Sequence, residues 1–503
     1  MRAKVQAQTK VSTEVLLSIR NAFKLAGSLG VTWGISLLIL LFLPRWLGPE
    51  SFGMLSAADA LAATCFVLLS FGVDTYIRKE IPIRPEHAQA FFGAVVVLRL
   101  GLTVLLLGGM ACFMWLVEAT PLAMRLALLF GLAQTFSTLK ESLAALLHAR
   151  GTVDGLSLNN IVGKALWGGG VLAATFAGKG PSLEGIALAL VGSKFLECLG
   201  CGWLVRKHLG LRFAVRPEAL QEVVLACLPL YVGQVFYTVY NKVDVALLSF
   251  LVGNQEAGWY SEAAKWANIA LLMTPFLGWV VVPLFARAHH GRSQEEFNQV
   301  LRRMLELVLA IALPLSLFIA LGADFLILKT AGPEYAEAVV AMRLRAPIYV
   351  FMYLSIISSA ALIIEKRAWT VTWISAAGLA LNLVLNVVFL RAAAERWGPG
   401  GGGTGAALIQ LLTEGGVMLA MFATLGRRCF DRRSMGALLK TALACALAAA
   451  LHQSLLAFTS WPVLLCLVVV FAAYLLLAVV LGAIHAREIY GFIRMAFQKE
   501  RTS

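Results

Sequence analysis

Charged side chains stand inside long apolar runs of this sequence, where each charge is expensive and therefore informative. Lys140 with Glu141, Lys164, Lys194 with Glu197, Lys242 with Asp244, Glu262 with Lys265, Arg343 with Arg345, and Glu414 are placed this way, as are Asp59 and Arg99. At the centre of a bilayer each would cost about 2.5–3.5 kcal/mol on the insertion scale. They are therefore expected to face a watery interior or one another. Basic side chains gathered away from lipid suit an anionic ligand: lysine supplies a compact charge, and an arginine fork holds two phosphate oxygens at once. Lys194–Glu197 and Glu262–Lys265 have i,i+3 spacing and can meet on one helix face, either as structural ion pairs or as part of a site. Lys140 and Glu141 point to different sides of their helix. Arg343 and Arg345 have no acidic neighbour in their own span until Glu365, and Lys164 is alone in its span. These cations are the leading candidates for an anion, with Lys140, Lys194, Lys242, Lys265 and Arg99 beside them. Asp59, Asp244, Glu262 and Glu414 read as counter-ions or coupling groups, and Arg125, near a span end, as a snorkelling cation.

The elements that must hold these groups are membrane helices. Of 503 residues 60% are hydrophobic and only 14% charged, with a mean hydropathy of +0.81, well beyond the balance of a soluble domain. The apolar residues fall into runs long enough to cross about 30 Å of hydrocarbon as helices. Leu, Ala, Gly and Val dominate them without two-residue alternation, which argues against barrel strands. The predicted spans are 22–46, 52–74, 89–117, 121–148, 154–177, 183–205, 220–251, 257–286, 297–328, 335–364, 369–391, 403–425, 436–457 and 462–484. The fold class is thus all-α and integral to the membrane, with about fourteen spans. Counted from a cytoplasmic N-terminus, Lys and Arg outnumber those of the outer connectors roughly five to one, placing both termini in the cytoplasm. The connectors are too short for a soluble catalytic domain.

The net charge of +14 is explained by those inner connectors, and the absence of a basic stripe interleaved with aromatics argues against nucleic acid as a partner. Cys198 and Cys201 lie in an apolar run and read as small buried hydrophobes, not a zinc or redox pair. The first residues are polar and basic, and the run after them is too long for a cleavable signal. No P-loop pattern occurs, so no ATPase is built in. The run Gly398–Gly403 follows no strand and reads as a connector, not a phosphate cradle. His289 and His290 lack a third ligand nearby, so neither metal nor cofactor is expected.

A repeat divides the chain. The segment 47–59, LGPESFGMLSAAD, closes one span and opens the next, and 251–265, LVGNQEAGWYSEAAK, does the same at the seventh and eighth. At constant offset Gly48 matches Gly253, Gly53 matches Gly258, Ser56 matches Ser261 and Ala58 matches Ala263. A weaker echo links 183–194 with 403–414. Two parallel six-helix halves follow, 1–205 and 206–425, with two further helices and a tail over 426–503. Prolines at 229, 275, 283, 314 and 347 interrupt spans and invite bends.

With six-plus-six halves, two trailing helices, the Gly48/Gly53/Ser56 and Gly253/Gly258/Ser261 turns, and the stretch YNKVDVALLSFLVG over 240–253, the sequence resembles the polysaccharide transporter (Wzx-type flippase) branch of the MOP superfamily. That superfamily also holds the multidrug MATE exporters and the lipid II flippase. The resemblance implies two lobes facing each other across a central cavity. It implies transport, without enzymatic chemistry, of an undecaprenyl-pyrophosphate-linked oligosaccharide across a bacterial inner membrane, alongside other polysaccharide-assembly membrane proteins. Tyr237, Tyr240, Asn241, Trp266, Asn268 and Tyr353 stand in spans as possible sugar partners or as packing. Three rival readings stand: a cation-coupled drug exporter of the same superfamily, a membrane-embedded polysaccharide polymerase or ligase, and a non-transporting scaffold.

Overall fold

A chain in hydrocarbon must satisfy its backbone polar groups within each segment, and the helix does so without a partner. The computed structural model describes residues 2–69, 77, 88–149, 154–178, 180–210, 235–236, 238–271, 281, 284–285, 288, 294–459 and 461–482. Among these residues all regular secondary structure is helical. We number the helices α1 (Arg2–Phe66), α2 (Ala88–Leu116), α3 (Pro121–Ala149), α4 (Asp154–Phe176), α5 (Leu183–Leu209), α6 (238–251), α7 (Asn254–Ala270), α8 (Gln294–Leu321), α9 (Ala323–Thr330), α10 (Ala338–Arg345), α11 (Ile348–Ile364), α12 (Ala368–Trp397), α13 (Gly401–Leu425), α14 (Arg432–Phe458) and α15 (Val463–Val480).

Ten stretches among the described residues are long and apolar enough to cross a membrane. The first, Gly30–Leu69, has 40 residues, about 60 Å of helix at 1.5 Å per residue and twice the hydrocarbon thickness. It holds two of the predicted spans, joined where Gly48 leaves helical geometry with φ 74° and ψ 166°. The matching Gly253, between α6 and α7, also has positive φ, 145°. A side chain rarely adopts a positive φ, so both positions favour glycine, although their φ values differ by about 70°. Every one of the fourteen predicted spans falls at least partly on helix among the described residues. The tenth is broken: α10 ends at Arg345, Pro347 follows, and α11 begins at Ile348. Pro314 is carried inside α8. Pro229, Pro275, Pro283, His289 and His290 lie outside the described residues, as do Tyr237 and the side chain of Asn268.

Packing divides the chain into two compact units, Met1–Ala246 and Leu247–Ser503. In the first, α5 packs along α3 and α4, and α1 lies against α3 and α4. Its core includes Ile39, Leu43, Leu55, Leu126, Phe130 and Val171. In the second, α12 runs along α13, while α14 and α15 form a hairpin packed on α8. Helix ends carry recognisable stops. Ser182 accepts a hydrogen bond from the Gly185 N–H at the start of α5 (3.0 Å) and Asp431 from that of Ser434 at the start of α14 (2.7 Å), each satisfying an otherwise orphaned donor. Large apolar side chains such as Leu105, Trp115, Val388, Leu412 and Leu476 are exposed. In water such a surface would aggregate; against lipid it is the solvated face.

Candidate functional site: embedded charge clusters in each unit

Three lysines of the first unit gather on three adjacent helices. Lys194 Nζ of α5 lies 3.1 Å from Glu197 Oε2, and Lys140 Nζ of α3 lies 3.6 Å from the same oxygen. Lys164 of α4 is close enough to interact electrostatically with Glu197 and with both lysines. It makes no ion pair with an acid among the described residues, and its ammonium rests 4.7 Å from the centre of the Trp167 ring, a cation–π contact. Glu197 itself is only 3% exposed. The sequence allows this because two glycines face two polar side chains across the α4–α5 crossing. A Cβ on Gly163 would meet Glu197 Cγ at 2.2 Å, and one on Gly200 would meet Asn159 Oδ1 at 2.0 Å. Asn159 donates from Nδ2 to the Glu197 carbonyl oxygen (2.9 Å) and to Cys201 Sγ (3.3 Å). The glycines thus let the two helices approach closely around Glu197 and Asn159. Three lysines around one glutamate leave two positive charges that Glu197 does not balance. Glu141, beside Lys140, is exposed, on a different side of α3.

Also in the first unit, Lys242 of α6 pairs with Asp59 of α1 at 2.9 Å, both partly exposed. Arg99 of α2 is completely buried. Cys198 and Cys201 pack with Leu143, Leu147, Leu156 and Leu204, as small hydrophobes do. Arg125 pairs with Glu184 at 2.6 Å, with both side chains well exposed. Asp244 and Tyr240 are buried.

In the second unit the two arginines of α10 have different fates. Arg345 is buried and donates to the Tyr260 hydroxyl of α7 and to Gln410 Oε1 of α13, with its guanidinium 4.8 Å from the Tyr260 ring centre. The Tyr260 hydroxyl also lies 3.2 Å from Gln410 Oε1. Glu414, one turn beyond Gln410, is buried too. Arg343, which sequence reading left without an acidic partner, is paired with Asp324 of α9, and both side chains are about half exposed. The correction has a simple cause: the acid comes from the neighbouring helix, which spacing within one span does not reveal. Glu262 and Lys265 close their i,i+3 pair at 2.5 Å and are buried, with the Lys265 ammonium 5.5 Å from the Trp266 ring centre. Tyr353 is buried in α11.

Several polar residues that matter here were not singled out from sequence. Asn159, Gln410 and the buried pair Asn382–Asn386, in which Asn386 Nδ2 donates to Asn382 Oδ1 at 3.0 Å, are amides in apolar runs, and that uncharged signal was available. Glu256 of α7 is another. Its carboxylate accepts from the N–H groups of Gly400 (2.7 Å) and Gly403 (2.9 Å) at the start of α13. The glycine-rich connector thus presents its N–H groups to a carboxylate of the same chain.

Comparison with protein-family profiles matches residues 18–289 to the family described as "Polysaccharide biosynthesis protein", more than half of the chain. The chain belongs to this family. A second profile, MatE, matches residues 229–388. Among solved structures, the chain is similar to the lipid II flippase MurJ in its inward closed conformation, with a TM-score of 0.70 and 14% identity over 95% of this chain and 100% of the other. It is similar to an inward-facing multidrug resistance MATE transporter of the MOP superfamily, with a TM-score of 0.60 and 17% identity over 82% and 95%. It is also similar to a MOP superfamily transporter from Pyrococcus furiosus whose binding pocket is described as having reverse polarity, at 0.52 and 16% over 82% and 96%. A search of curated proteins found no match. This member of the polysaccharide biosynthesis family is therefore a multi-pass membrane protein with the fold of the MOP transporters.

Proposed function

We propose that this protein moves a polyprenyl-pyrophosphate-linked oligosaccharide from the cytoplasmic to the periplasmic leaflet of a bacterial inner membrane, for assembly of a cell-surface polysaccharide. The carrying observation is the cluster of Lys140, Lys164 and Lys194 around Glu197, with its surplus of two positive charges. A pyrophosphate diester carries two negative charges, and paired ammonium groups at low dielectric bind such a charge far more strongly than they would in water. Family membership supports the polysaccharide side of the reading. In it, residues 1–205 and 206–425 are two copies of one transporter lobe and 426–503 an addition, both termini are cytoplasmic, and the site opens alternately to the two sides. The embedded cations Arg99, Lys242, Lys265, Arg343 and Arg345 then serve substrate or fold, and Asp59, Asp244, Glu262 and Glu414 serve as counter-ions or coupling groups. The drive is an ion gradient, the membrane potential or consumption of product.

The test is glycan export in cells that depend on this protein. Lys164→Gln is expected to abolish export at unchanged protein level, because among the described residues that cation closes no ion pair and Glu197 keeps Lys140 and Lys194. Normal export from Lys164→Gln and from Lys140→Gln would remove the cluster from the site. The MatE match over 229–388 favours one rival, a cation-coupled drug exporter. Drug resistance on expression without any glycan defect would establish it instead.

A further inference from the structure

The hairpin α14–α15 follows α8 along its length. Near the start of α8, Arg302 donates from Nε to the Arg428 carbonyl oxygen (3.0 Å) and lies 3.5 Å from Asp431 Oδ2, the residue that caps α14. Near the other end, Phe318 meets Phe471 edge-on with ring centres 5.1 Å apart. Between these points the Tyr474 hydroxyl of α15 donates to the carbonyl oxygen of Ala310 at 3.0 Å. That carbonyl is not an arbitrary acceptor. In a helix the oxygen of residue 310 takes the N–H of residue 314, and residue 314 is Pro, which has none. Tyr474 is buried, as is Pro314, so water is not the ready substitute.

We propose that Tyr474 is a positioning residue that supplies, from the trailing hairpin, the donor that Pro314 withholds from α8, and that the trailing hairpin is thereby the fastening of a hinge in this span. A proline in a helix interior removes one bond of the ladder and leaves a point where the helix bends cheaply. A donor arriving from a separate helix can be released and remade as the span moves, which a backbone N–H in register cannot. The inference rests on the transport reading only for what the hinge is used for; the hydrogen bond itself stands apart from any substrate.

A double-mutant cycle on the purified full-length protein tests it, read by hydrogen exchange of the backbone amides over residues 308–318 and, separately, by glycan export. Tyr474→Phe removes only the hydroxyl. A buried hydrogen bond of this kind has a net worth of about 0.5–1.5 kcal/mol, so exchange in α8 is expected to accelerate about 2- to 12-fold. Pro314→Ala restores the N–H to the Ala310 oxygen, and in that background Tyr474→Phe is expected to leave exchange unchanged. Equal acceleration in both backgrounds would overturn the pairing of Tyr474 with the proline gap. Pro314→Ala is further expected to keep normal abundance while slowing export, and wild-type export from it would overturn the hinge. If the wild-type protein exports no lipid-linked glycan, the substrate reading fails, and the exchange cycle still decides the fastening.

Discussion

Glu197→Gln isolates the charge of Glu197 from its shape. The amide keeps the volume that lies over Gly163, so the α4–α5 crossing stays filled, and only the negative charge is lost. What remains is Lys194 at 3.1 Å and Lys140 at 3.6 Å from a neutral group, their side chains 18% and 17% exposed. Removing one partner of a buried ion pair typically costs about 3–5 kcal/mol, because the surviving charge is stranded. At 1.4 kcal/mol per factor of ten, that is roughly a 100- to 4,000-fold rise in the unfolded-to-folded ratio, a large part of the total stability of a typical domain. The assay is thermal unfolding of the detergent-purified protein alongside its level in membranes. Glu197→Gln is expected to lower both, and Lys194→Gln added to it is expected to recover most of the loss by removing a stranded charge. A single variant as stable as wild type, or a double variant no better than the single, would refute the claim that Glu197 holds this cluster by charge.

Three further outcomes follow from the geometry. Glu256→Ala leaves the N–H groups of Gly400 and Gly403 without their carboxylate, and at about 1–3 kcal/mol per buried unsatisfied donor it is expected to lower the melting temperature more than Glu256→Gln, which keeps an acceptor oxygen. Arg345→Lys is expected to be damaging, since an ammonium cannot reproduce the planar fork that reaches both Tyr260 and Gln410, whereas Asp324→Asn breaks a half-exposed pair with Arg343 and is expected to change stability by no more than about 1 kcal/mol; the two melting curves compared side by side check this. Burial of Cys429, in the connector between α13 and α14, pushes its thiol up to about 11; with the other cysteines replaced, its alkylation rate is expected to climb about tenfold per pH unit from pH 7 to 10 as thiolate forms, and Arg302→Ala, which removes a nearby positive charge that favours the thiolate, is expected to lower the rate at neutral pH.

Much of this molecule is legible in its sequence because the membrane imposes a coarse and unforgiving code. Apolar runs of spanning length had to be helices, and the glycines at Gly48 and Gly253, both at positive φ, stand out in the sequence as turns. Embedded charges were equally visible, since a lysine in an apolar run has few explanations. What was not legible is which charge meets which. The i,i+3 pairs of Lys194–Glu197 and Glu262–Lys265 are local and were foreseen; Arg343–Asp324, Lys242–Asp59 and the approach of Lys140 to Glu197 join different helices, and spacing along the chain carries no information about them. Proline positions were plain, but the loss of a donor at Pro314 names no rescuer, and Tyr474 is 160 residues away in sequence. Neutral amides carry no charge to mark them in an apolar run, although Asn159 ties the backbone of Glu197 and Gln410 accepts from Arg345.

The carboxylate of Glu256 and the amides it accepts from are 144 and 147 residues apart. A ribosome adding about 5–20 residues per second finishes Gly400 roughly 7–30 s after Glu256. Through that interval α7 has been made without the two N–H groups its carboxylate accepts from in the folded protein, because the glycine-rich start of α13 does not yet exist. This contact between α7 and α13 can therefore close only after α13 has been made, so it separates a chain synthesised as far as α12 from one that has gone further.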